Sequence, residues 1–364
     1  MNMSIRSFLV TAALAVSIIG IGPSLKGQAA ASSRMFVLPY LGSAPETGLQ
    51  YGATVFRVRQ TADTATRPST AQLFASYTAK SQAMVFASMD RWSAGNAWHV
   101  TGRLEWNRYP LPFYGFGDRA PASAEEFYTP EAFIASALVQ RRVRGPLYLL
   151  GGYSFQNSRV TRTAPDGTLG GGRVFGDAGG ILSQLQAGAL WDDRDDVFAP
   201  ARGSFVQLTG SYSGARSGSD YDFRRLVADG RHYLPLGGSR VFAVQAVTEL
   251  TGGDAPFDQL SLVGNSNYLR GYTRGRFRDR DLAAVQGEYR APLWRRLGYA
   301  AFGGAGRIAP RPSALFGADV RTLPSYGAGL RWTLFSGSRS DIRVDYARAG
   351  AGQSGLYVAL NEAF

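Results

Sequence analysis

The sequence has no cysteine and only two histidines in 364 residues. A disulfide framework, a lipid anchor on cysteine and thiol chemistry are therefore excluded. The two histidines, His99 and His232, lie far apart and do not make a transition-metal site of ordinary composition. We expect neither a metal nor a cofactor.

After residue 31 the chain also lacks an apolar run of the roughly 20 residues that a membrane-spanning helix needs. Its one long apolar run, from Phe8 to Ile21, follows Arg6 and precedes the small residues 29–31. That order is typical of a cleavable secretory signal peptide. We predict a signal peptide over residues 1–31, and a retained N-terminal anchor is the alternative.

Lysine is scarce, and the net charge of +12 comes almost entirely from arginines that are spread evenly along the chain. No basic block of the kind that binds nucleic acid is present. A charged barrel interior, or contact with the anionic headgroups of outer-membrane lipid and lipopolysaccharide, explains the arginines better. We therefore expect lipid contacts and no nucleic-acid partner.

Short segments of alternating polar and apolar residues recur down most of the chain, together with 45 glycines and 18 tyrosines. The clearest segments are 97–107, 324–335 and 341–348. Each has one apolar face that suits lipid and one polar face that suits a water-filled interior, which is typical of a transmembrane β-strand. A β-sandwich also alternates, so further features are needed to decide.

The connections between segments and the positions of aromatic residues distinguish the two folds. Connections at 336–340, 294–297, 234–238 and 142–145 are short, and they alternate with longer ones at 309–323, 252–280, 157–181 and 108–130. Short periplasmic turns and long external loops give a barrel this alternation. Aromatic residues near strand ends also fit the interfacial girdles of a barrel: Trp106, Tyr148, Trp191, Tyr212, Trp294, Tyr299 and Tyr346.

These features predict an all-β fold, a transmembrane antiparallel β-barrel formed by residues 32–364 as one domain. We count sixteen strands, with fourteen as the alternative, and place both termini in the periplasm. Phe364 ends the sequence on the same side of the last strand as Leu356 and Val358. It resembles the signal read when outer-membrane barrels are assembled, so we expect the barrel assembly machinery as a partner during biogenesis.

The most informative stretch is 263–293, where Leu269, Arg270, Gly271 and Tyr272 lie in a glycine-rich loop before a strand. This loop is among the longest, is external by the alternation of connections, and precedes five strands. It resembles the motif loop of the bacterial surface antigen superfamily, the BamA/TamA type of outer-membrane assembly and translocation factor. The resemblance implies sixteen strands, a motif loop after the eleventh, and a role in inserting or translocating proteins or lipids.

A second resemblance lies at Asp192, Asp193, Arg194 and Asp195, which are followed by Pro-Ala-Arg-Gly at 200–203. It is similar to the acidic turn of the same family. The aspartates also suit a calcium site, since hard cations take oxygen ligands. Turn carboxylates more often accept hydrogen bonds from backbone N–H groups. We favour the structural turn.

Two departures from the family bear on function. Family members of known role carry periplasmic POTRA domains ahead of the barrel, whereas here the first clear strand begins near residue 49. We expect no such domain, and an unknown periplasmic protein as a possible substitute. In relatives the loop arginine also pairs with the aspartate of an F-x-D-x-G pattern, but the matching stretch 302–306 has glycine at Gly304.

Arg270 therefore needs another acceptor. We predict that it points into the barrel and pairs with Glu288, which lies on the lumen face of the following strand and offers a two-pronged carboxylate. Gly304 and Gly306 would leave room for it. The alternative is a solvated pair with Asp279 or Asp281 within the loop.

Enzyme chemistry requires a nucleophile, a base and an orienting group within hydrogen-bond reach. His99 shares a polar strand face and is more simply a hydrogen-bonded lumen histidine than a catalytic base. We predict no catalytic residue. The functions that remain are the assembly or translocation role that the resemblance implies, an anion-favouring pore or structural barrel, and, least favoured, a hydrolase in the lumen.

Overall fold

β-Strands make up most of the chain that the computed structural model describes, namely residues 31–44, 48–63, 65–264, 267–333 and 341–364. The predicted signal peptide, apart from residue 31, lies outside the described residues. No helix within the described ranges is long and apolar enough to cross a membrane.

The described ranges contain nineteen strands, of which sixteen long ones form a single wall. These are β1 (Ser32–Ala44), β2 (Gly48–Gln60), β3 (Ser69–Thr78), β4 (Ala83–Trp92), β5 (Trp98–Arg108), β6 (Glu126–Arg144), β7 (Leu147–Arg162), β8 (Gly179–Asp192), β9 (Gly203–Ser213), β10 (Phe223–Pro235), β11 (Val241–Gly253), β12 (Asp281–Trp294), β13 (Leu297–Ala309), β14 (Leu323–Thr333), β15 (Asp341–Ala349) and β16 (Ser354–Leu360). Three short strands, Leu111–Phe113, Ser261–Leu262 and Arg278–Asp279, belong to the connections.

Each wall strand pairs antiparallel with the next, from β1–β2 through to β15–β16. Connections far apart in this order meet across the interior. The Gly117 N–H donates to the Arg278 carbonyl over 2.8 Å, and the Arg321 N–H donates to Asp118 Oδ2 over 2.5 Å. The sheet therefore curves round on itself as a transmembrane antiparallel β-barrel.

The two faces of the strands have the predicted chemistry. In β5, Trp98 and Leu104 are 45% and 55% exposed on the outside, whereas His99 is buried on the inside. Because successive side chains of a strand point to opposite faces, this parity extends along the register to the neighbouring strands. Tyr148 is an exception to the predicted aromatic girdle, because it is buried and its hydroxyl donates to the Asn96 carbonyl inside the barrel.

Two strands are longer than the sequence pattern predicts. β6 and β7 were expected over 131–141 and 146–156, but their pairing continues past a bulge at Thr129 and Pro130 to Arg162. Backbone pairing needs no apolar face once the strands rise beyond the bilayer. The loops on either side of this hairpin are consequently shorter than predicted.

The C-terminal residue does not continue the alternation of β16, and the predicted side for Phe364 is wrong. β16 ends at Leu360, and Asn361 adopts a left-handed conformation with φ 64°. This residue turns the chain inward, and Phe364 is buried against Tyr233 and Ala243 in the lumen. The role of Phe364 as an assembly signal stays a prediction.

Candidate functional site

The loop between β11 and β12, described at 254–264 and 267–280, folds into the barrel interior. Leu269, Arg270 and Tyr272 are each at most 2% exposed. The apolar residues of the loop pack with inward residues of four wall strands in one cluster: Val247, Val263, Leu269, Tyr272, Phe277, Leu282, Ala284, Ile308 and Leu323. The motif loop thus has a core of its own inside the lumen.

Local backbone chemistry shapes this loop. Ser261–Leu262 pairs with Arg278–Asp279 and closes its base. At the tip Leu269 and Gly271 have φ of 51° and 103°. A Cβ on Gly271 would lie 2.9 Å from the Arg348 backbone, so both the left-handed conformation and the close approach require glycine there.

Arg270 is fully buried between two carboxylates. Its Nη2 lies 2.6 Å from Glu288 Oε2 on β12, and its Nη1 lies 2.6 Å from Asp345 Oδ2 on β15. The guanidinium also sits 3.3 Å from the ring centre of Phe302 on β13. The predicted contact with Glu288 is present, and Asp345 is a second partner.

The alternative partners of Arg270 are engaged elsewhere. Asp281 Oδ1 accepts the Thr251 N–H over 2.8 Å, and Asp279 Oδ1 accepts the Arg280 N–H over 2.8 Å. Both aspartates bond to backbone near the external ends of the strands. The solvated loop pair considered as the alternative is therefore wrong.

A wider ion-pair network surrounds Arg270. It contains four guanidinium groups and three carboxylates, all on the inner side of the barrel. Arg290 Nε lies 2.8 Å from Glu288 Oε1, and Arg343 Nη1 lies 3.2 Å from Asp345 Oδ2. Arg331 joins two carboxylates, since its Nη1 lies 2.5 Å from Asp345 Oδ1 and its Nε lies 2.8 Å from Glu362 Oε2. The side chain of each member is at most 8% exposed. Opposite charges interact far more strongly in such a dry setting than at a surface, so the members depend on one another.

Glycines on β14 make room for this network. A Cβ on Gly329 would overlap the Asp345 carboxylate, and one on Gly327 would lie 2.6 Å from the Phe302 ring. The sequence instead predicted this role for Gly304 and Gly306. Gly306 clears space for Leu269, but a Cβ on Gly304 would meet only the neighbouring strand β12, so that part of the prediction is wrong.

The motif loop is also attached to the last hairpin of the barrel. The Gly271 N–H donates to the Tyr357 hydroxyl over 2.7 Å, and the Gly350 N–H donates to the Tyr272 hydroxyl over 3.0 Å. Gln353 Oε1 accepts the Thr273 N–H over 3.0 Å. These contacts tie the loop to β15, β16 and the connection between them.

Asp345 and Tyr357 are partners of the loop that the sequence did not predict. The sequence does contain a signal for Asp345, because this residue lies with Arg343 on the polar face of the alternating segment 341–348. Its pairing with Arg270, 75 positions away, depends on closure of the sheet. No local pattern encodes that distance.

The acidic turn between β8 and β9 uses its carboxylates on nearby donors. Asp192 binds Arg194 Nε over 2.8 Å and Arg67 Nη1 over 2.6 Å. Asp193 Oδ1 accepts the Ser204 N–H, and Asp195 Oδ1 accepts the N–H groups of residues 201 and 202. These bonds are those of the structural turn rather than of a cation site. In the described ranges no group of three or more candidate ligands converges as a metal site would require.

His99 has the surroundings of a structural residue. Its Nδ1 lies 2.8 Å from Gln140 Oε1 and its Nε2 2.9 Å from Asp90 Oδ1, while its ring stacks on Trp92 at 3.7 Å. The partners of the two ring nitrogens are therefore an amide and a carboxylate rather than a hydroxyl group. His232 pairs with Ser204 at the barrel exterior.

A sixteen-stranded antiparallel barrel with an apolar outer face and a long internal loop is an outer-membrane β-barrel. Residues 67–364 match the Omp85 superfamily domain, and the chain belongs to that superfamily. Barrels of this superfamily are in general transporters and assembly factors rather than enzymes. The localisation is therefore the outer membrane. No curated protein matches the sequence.

Solved structures agree with this fold. BamA from Haemophilus ducreyi lacking POTRA domains 1–3 is similar with a TM-score of 0.56 at 15% identity, covering 97% of this chain and 75% of that one. CdiB from Escherichia coli gives 0.60 at 10% identity, covering 96% and 67%. CdiB from Acinetobacter baumannii gives 0.54 at 11% identity, covering 90% and 65%. At such low identity the likeness concerns the fold alone.

Proposed function

We propose that this barrel is an assembly or translocation factor that helps insert or export proteins or lipids, and that its lumen is closed at rest by the motif loop. The observation that carries the proposal is the burial of Arg270 between Glu288 and Asp345. An internal loop held by a buried ion-pair network suits a factor that opens only when a client is present better than it suits a pore for steady diffusion.

The attachment of the loop to the last hairpin supports a path along the wall rather than through the lumen. Tyr357 on β16 accepts a hydrogen bond from the tip of the loop. Displacing the loop would therefore remove one of the contacts that hold β16, the last strand of the sheet. In the proposed function, clients pass through or beside the seam between β1 and β16.

Conductance in planar bilayers tests whether the lumen is closed. The unmodified protein should show small, infrequent openings, and Arg270→Ala should show a larger and steadier conductance because the loop loses its anchor. Arg103→Ala, which changes a half-exposed lumen arginine on β5, is the matched control and should behave like the unmodified protein. A large, steady pore in the unmodified protein would contradict the closed lumen.

Client assembly needs a separate assay. Barrels in lipid vesicles should accelerate folding of an added unfolded outer-membrane protein, measured by the gel shift between heated and unheated samples. Vesicles with the barrel cross-linked between the motif loop and β16 should lose the acceleration. Equal rates with and without the barrel would contradict the assembly role.

The partners of this activity are part of the proposal. We expect the barrel assembly machinery to act on the chain during biogenesis and a periplasmic protein to deliver clients. A pull-down from native membranes, with and without a cross-linker, should recover one periplasmic protein in proportion to the barrel. Recovery of membrane proteins alone would argue against a delivery partner.

A second candidate is an anion-favouring pore, which the net charge of +12 and the excess of guanidinium over carboxylate groups in the network favour. The same bilayer recordings distinguish it. A salt gradient across the bilayer would give a reversal potential of the sign for anions together with a large conductance. The hydrolase alternative has no such observation behind it.

A further inference from the structure

A groove of about 610 Å³ lies at the external ends of β8 to β11, away from the lumen network. Its lining includes Leu185, Tyr212, Leu226 and Leu250, one from each strand. The residues paired with them on the neighbouring strands also line the groove, so that the lining forms two rows across the four strands. The groove thus runs across the strands rather than along one of them.

The groove is on the outer face of the barrel. Leu185 and Leu226 are 53% and 42% exposed, and they share their strand faces with other exposed apolar residues such as Leu208. Lumen residues near this level, including Glu249 and Tyr268, bond to each other inside and do not line the groove. The groove therefore opens to the lipid of the outer membrane.

Small residues form its floor. A Cβ on Gly252 would meet nothing within 4 Å, and one on Gly210 would meet only the Ala187 carbonyl at 3.9 Å. Pro312, from the β13–β14 connection, and the buried Asp281 close the groove at the β12 side. The result is an apolar trough that is open to lipid.

One basic side chain stands at the external rim. Arg224 is exposed at the start of β10, with its guanidinium 6.0 Å from the Tyr212 ring centre. Two other outward arginines near this level are engaged, Arg159 with Glu131 at 3.1 Å and Arg307 with carbonyls of the β13–β14 connection. Within the described ranges no carboxylate pairs with Arg224.

We propose that this groove is a binding site for lipopolysaccharide, with one acyl chain along the glycine floor and a phosphate on Arg224. Guanidinium groups bind phosphate through two parallel, charge-assisted hydrogen bonds. In the apolar trough the acyl chain contacts fixed side chains instead of mobile lipid, and this holds the lipid next to the charge of Arg224. The site is independent of the proposed assembly role and would exist in a barrel of any activity.

The charge is tested by native mass spectrometry of the purified barrel titrated with diphosphoryl lipid A, phosphatidylglycerol or phosphatidylcholine. Lipid A should bind most tightly, and Arg224→Gln should weaken it about tenfold, since that factor corresponds to loss of one charge-assisted contact. Arg159→Gln, an outward arginine with its own carboxylate partner, is the control and should leave binding unchanged. Equal loss in both variants, or equal binding of phosphatidylglycerol, overturns the proposal.

The groove is tested separately by filling it. Gly210→Leu should reduce lipid A binding as much as Arg224→Gln does, because the added side chain occupies the floor. Gly230→Leu is the matched control, since Gly230 is an outward glycine of β10 with nothing within 4 Å and lies outside the groove. Unchanged binding in Gly210→Leu, with both variants folded by their gel shift, overturns the site.

Discussion

The same kind of ion pair, an arginine with a glutamate, has different surroundings in two regions of the barrel lumen. On β5, Arg103 pairs with Glu105 at 2.6 Å, and their side chains are 39% and 12% exposed. Between the motif loop and β12, Arg270 pairs with Glu288 at the same 2.6 Å, with both side chains 0% exposed. The distance is equal and the surroundings are not.

The motif loop causes this difference. Where it fills the lumen, beside β11 to β16, the inner faces become a protein interior with an apolar cluster and buried charges. Beside β2 to β5 the inner faces also carry partly exposed polar groups, such as Gln72 and Thr54. A buried charge that loses its partner is costly, whereas an exposed one is rehydrated. The C-terminal half should therefore respond to substitution much more strongly.

The largest effect is expected for Glu288→Gln. It leaves four guanidinium groups facing only Asp345 and Glu362, so we expect a loss of about 3–5 kcal/mol in the stability of the docked loop, as for breaking a buried ion pair. Urea unfolding in lipid vesicles, followed by the gel shift between heated and unheated samples, measures it. Glu105→Gln on β5 is the matched control and should lose less than 1 kcal/mol, roughly the value of an exposed pair.

Arg270→Ala should have a smaller effect in the same network. It leaves three guanidinium groups and three carboxylates, so it should cost less than Glu288→Gln despite removing the central side chain. The double variant should lose less than the sum of the two single losses, because the second change no longer breaks an intact contact. Silent single variants, or losses that simply add, would show that no such clamp exists.

Much of this architecture was predictable from the sequence because it depends on local pattern. The alternation of 97–107 and 341–348, and the position of the Leu269–Tyr272 motif after eleven strands, needed no knowledge of contacts. Glu288 was found as the partner of Arg270 because it lies on the strand that directly follows the loop. The acidic turn was recognisable for the same reason.

What escaped prediction depends on closure of the sheet or on single backbone conformations. Asp345 approaches Arg270 only because the sheet curves, so that β12 and β15 both face the motif loop. Phe364 turns inward because one residue, Asn361, is left-handed, and alternation cannot anticipate that. The space for the network comes from Gly327 and Gly329 on β14, a strand that the loop reaches only across the lumen.

Glycine substitution gives the next largest contrast between the two regions. Gly329→Ala places a methyl group where the Asp345 carboxylate lies, so we expect a loss of about 1–3 kcal/mol from overpacking. Gly102→Ala on β5 should be neutral, because its Cβ would meet only Met89 at 3.5 Å and a carbonyl at 3.8 Å. Urea midpoints of the two variants measure the contrast, and equal midpoints would contradict the tight packing assigned to β14.

The two regions should also differ in the sign of their pH dependence. Burial raises the pKa of Asp258, in the motif loop, above its ordinary value. Hydrogen bonds from Thr66 and the Ala65 N–H lower the pKa of Asp63, in the exposed β2–β3 turn. Because the protonated form of Asp258 is favoured in the folded loop, its contribution to loop stability is present at low pH and is lost as pH rises through its raised pKa. For Asp63 the contribution is present at neutral pH and is lost as pH falls.

Hydrogen exchange of amides measures both signs. Protection within 254–264 should fall as pH rises above the ordinary range of a carboxyl group, after correction for the intrinsic exchange rate, and Asp258→Asn should remove that fall. Protection at residues 65 and 66 should instead fall on acidification toward pH 3, and Asp63→Asn should remove it. The same sign in both segments would contradict the contrast between a buried loop and an exposed turn.

The smallest effect is expected for substitution of Arg103, which lies in the more exposed of the two regions. Arg103→Ala removes the pair with Glu105 and also the contact of the guanidinium with the Phe86 ring, whose centre is 3.9 Å away. An exposed pair and an exposed cation–π contact are each worth at most about 1 kcal/mol, so the total loss should stay below about 2 kcal/mol. Glu105→Gln keeps the ring contact and should lose less stability than Arg103→Ala.

Urea midpoints at low and at 1 M salt measure the losses of both variants, and salt should erase the part that comes from the ion pair. If Arg103→Ala instead costs as much as Glu288→Gln, and salt does not reduce the loss, the N-terminal half of the lumen is as dry as the C-terminal half and the contrast between them fails.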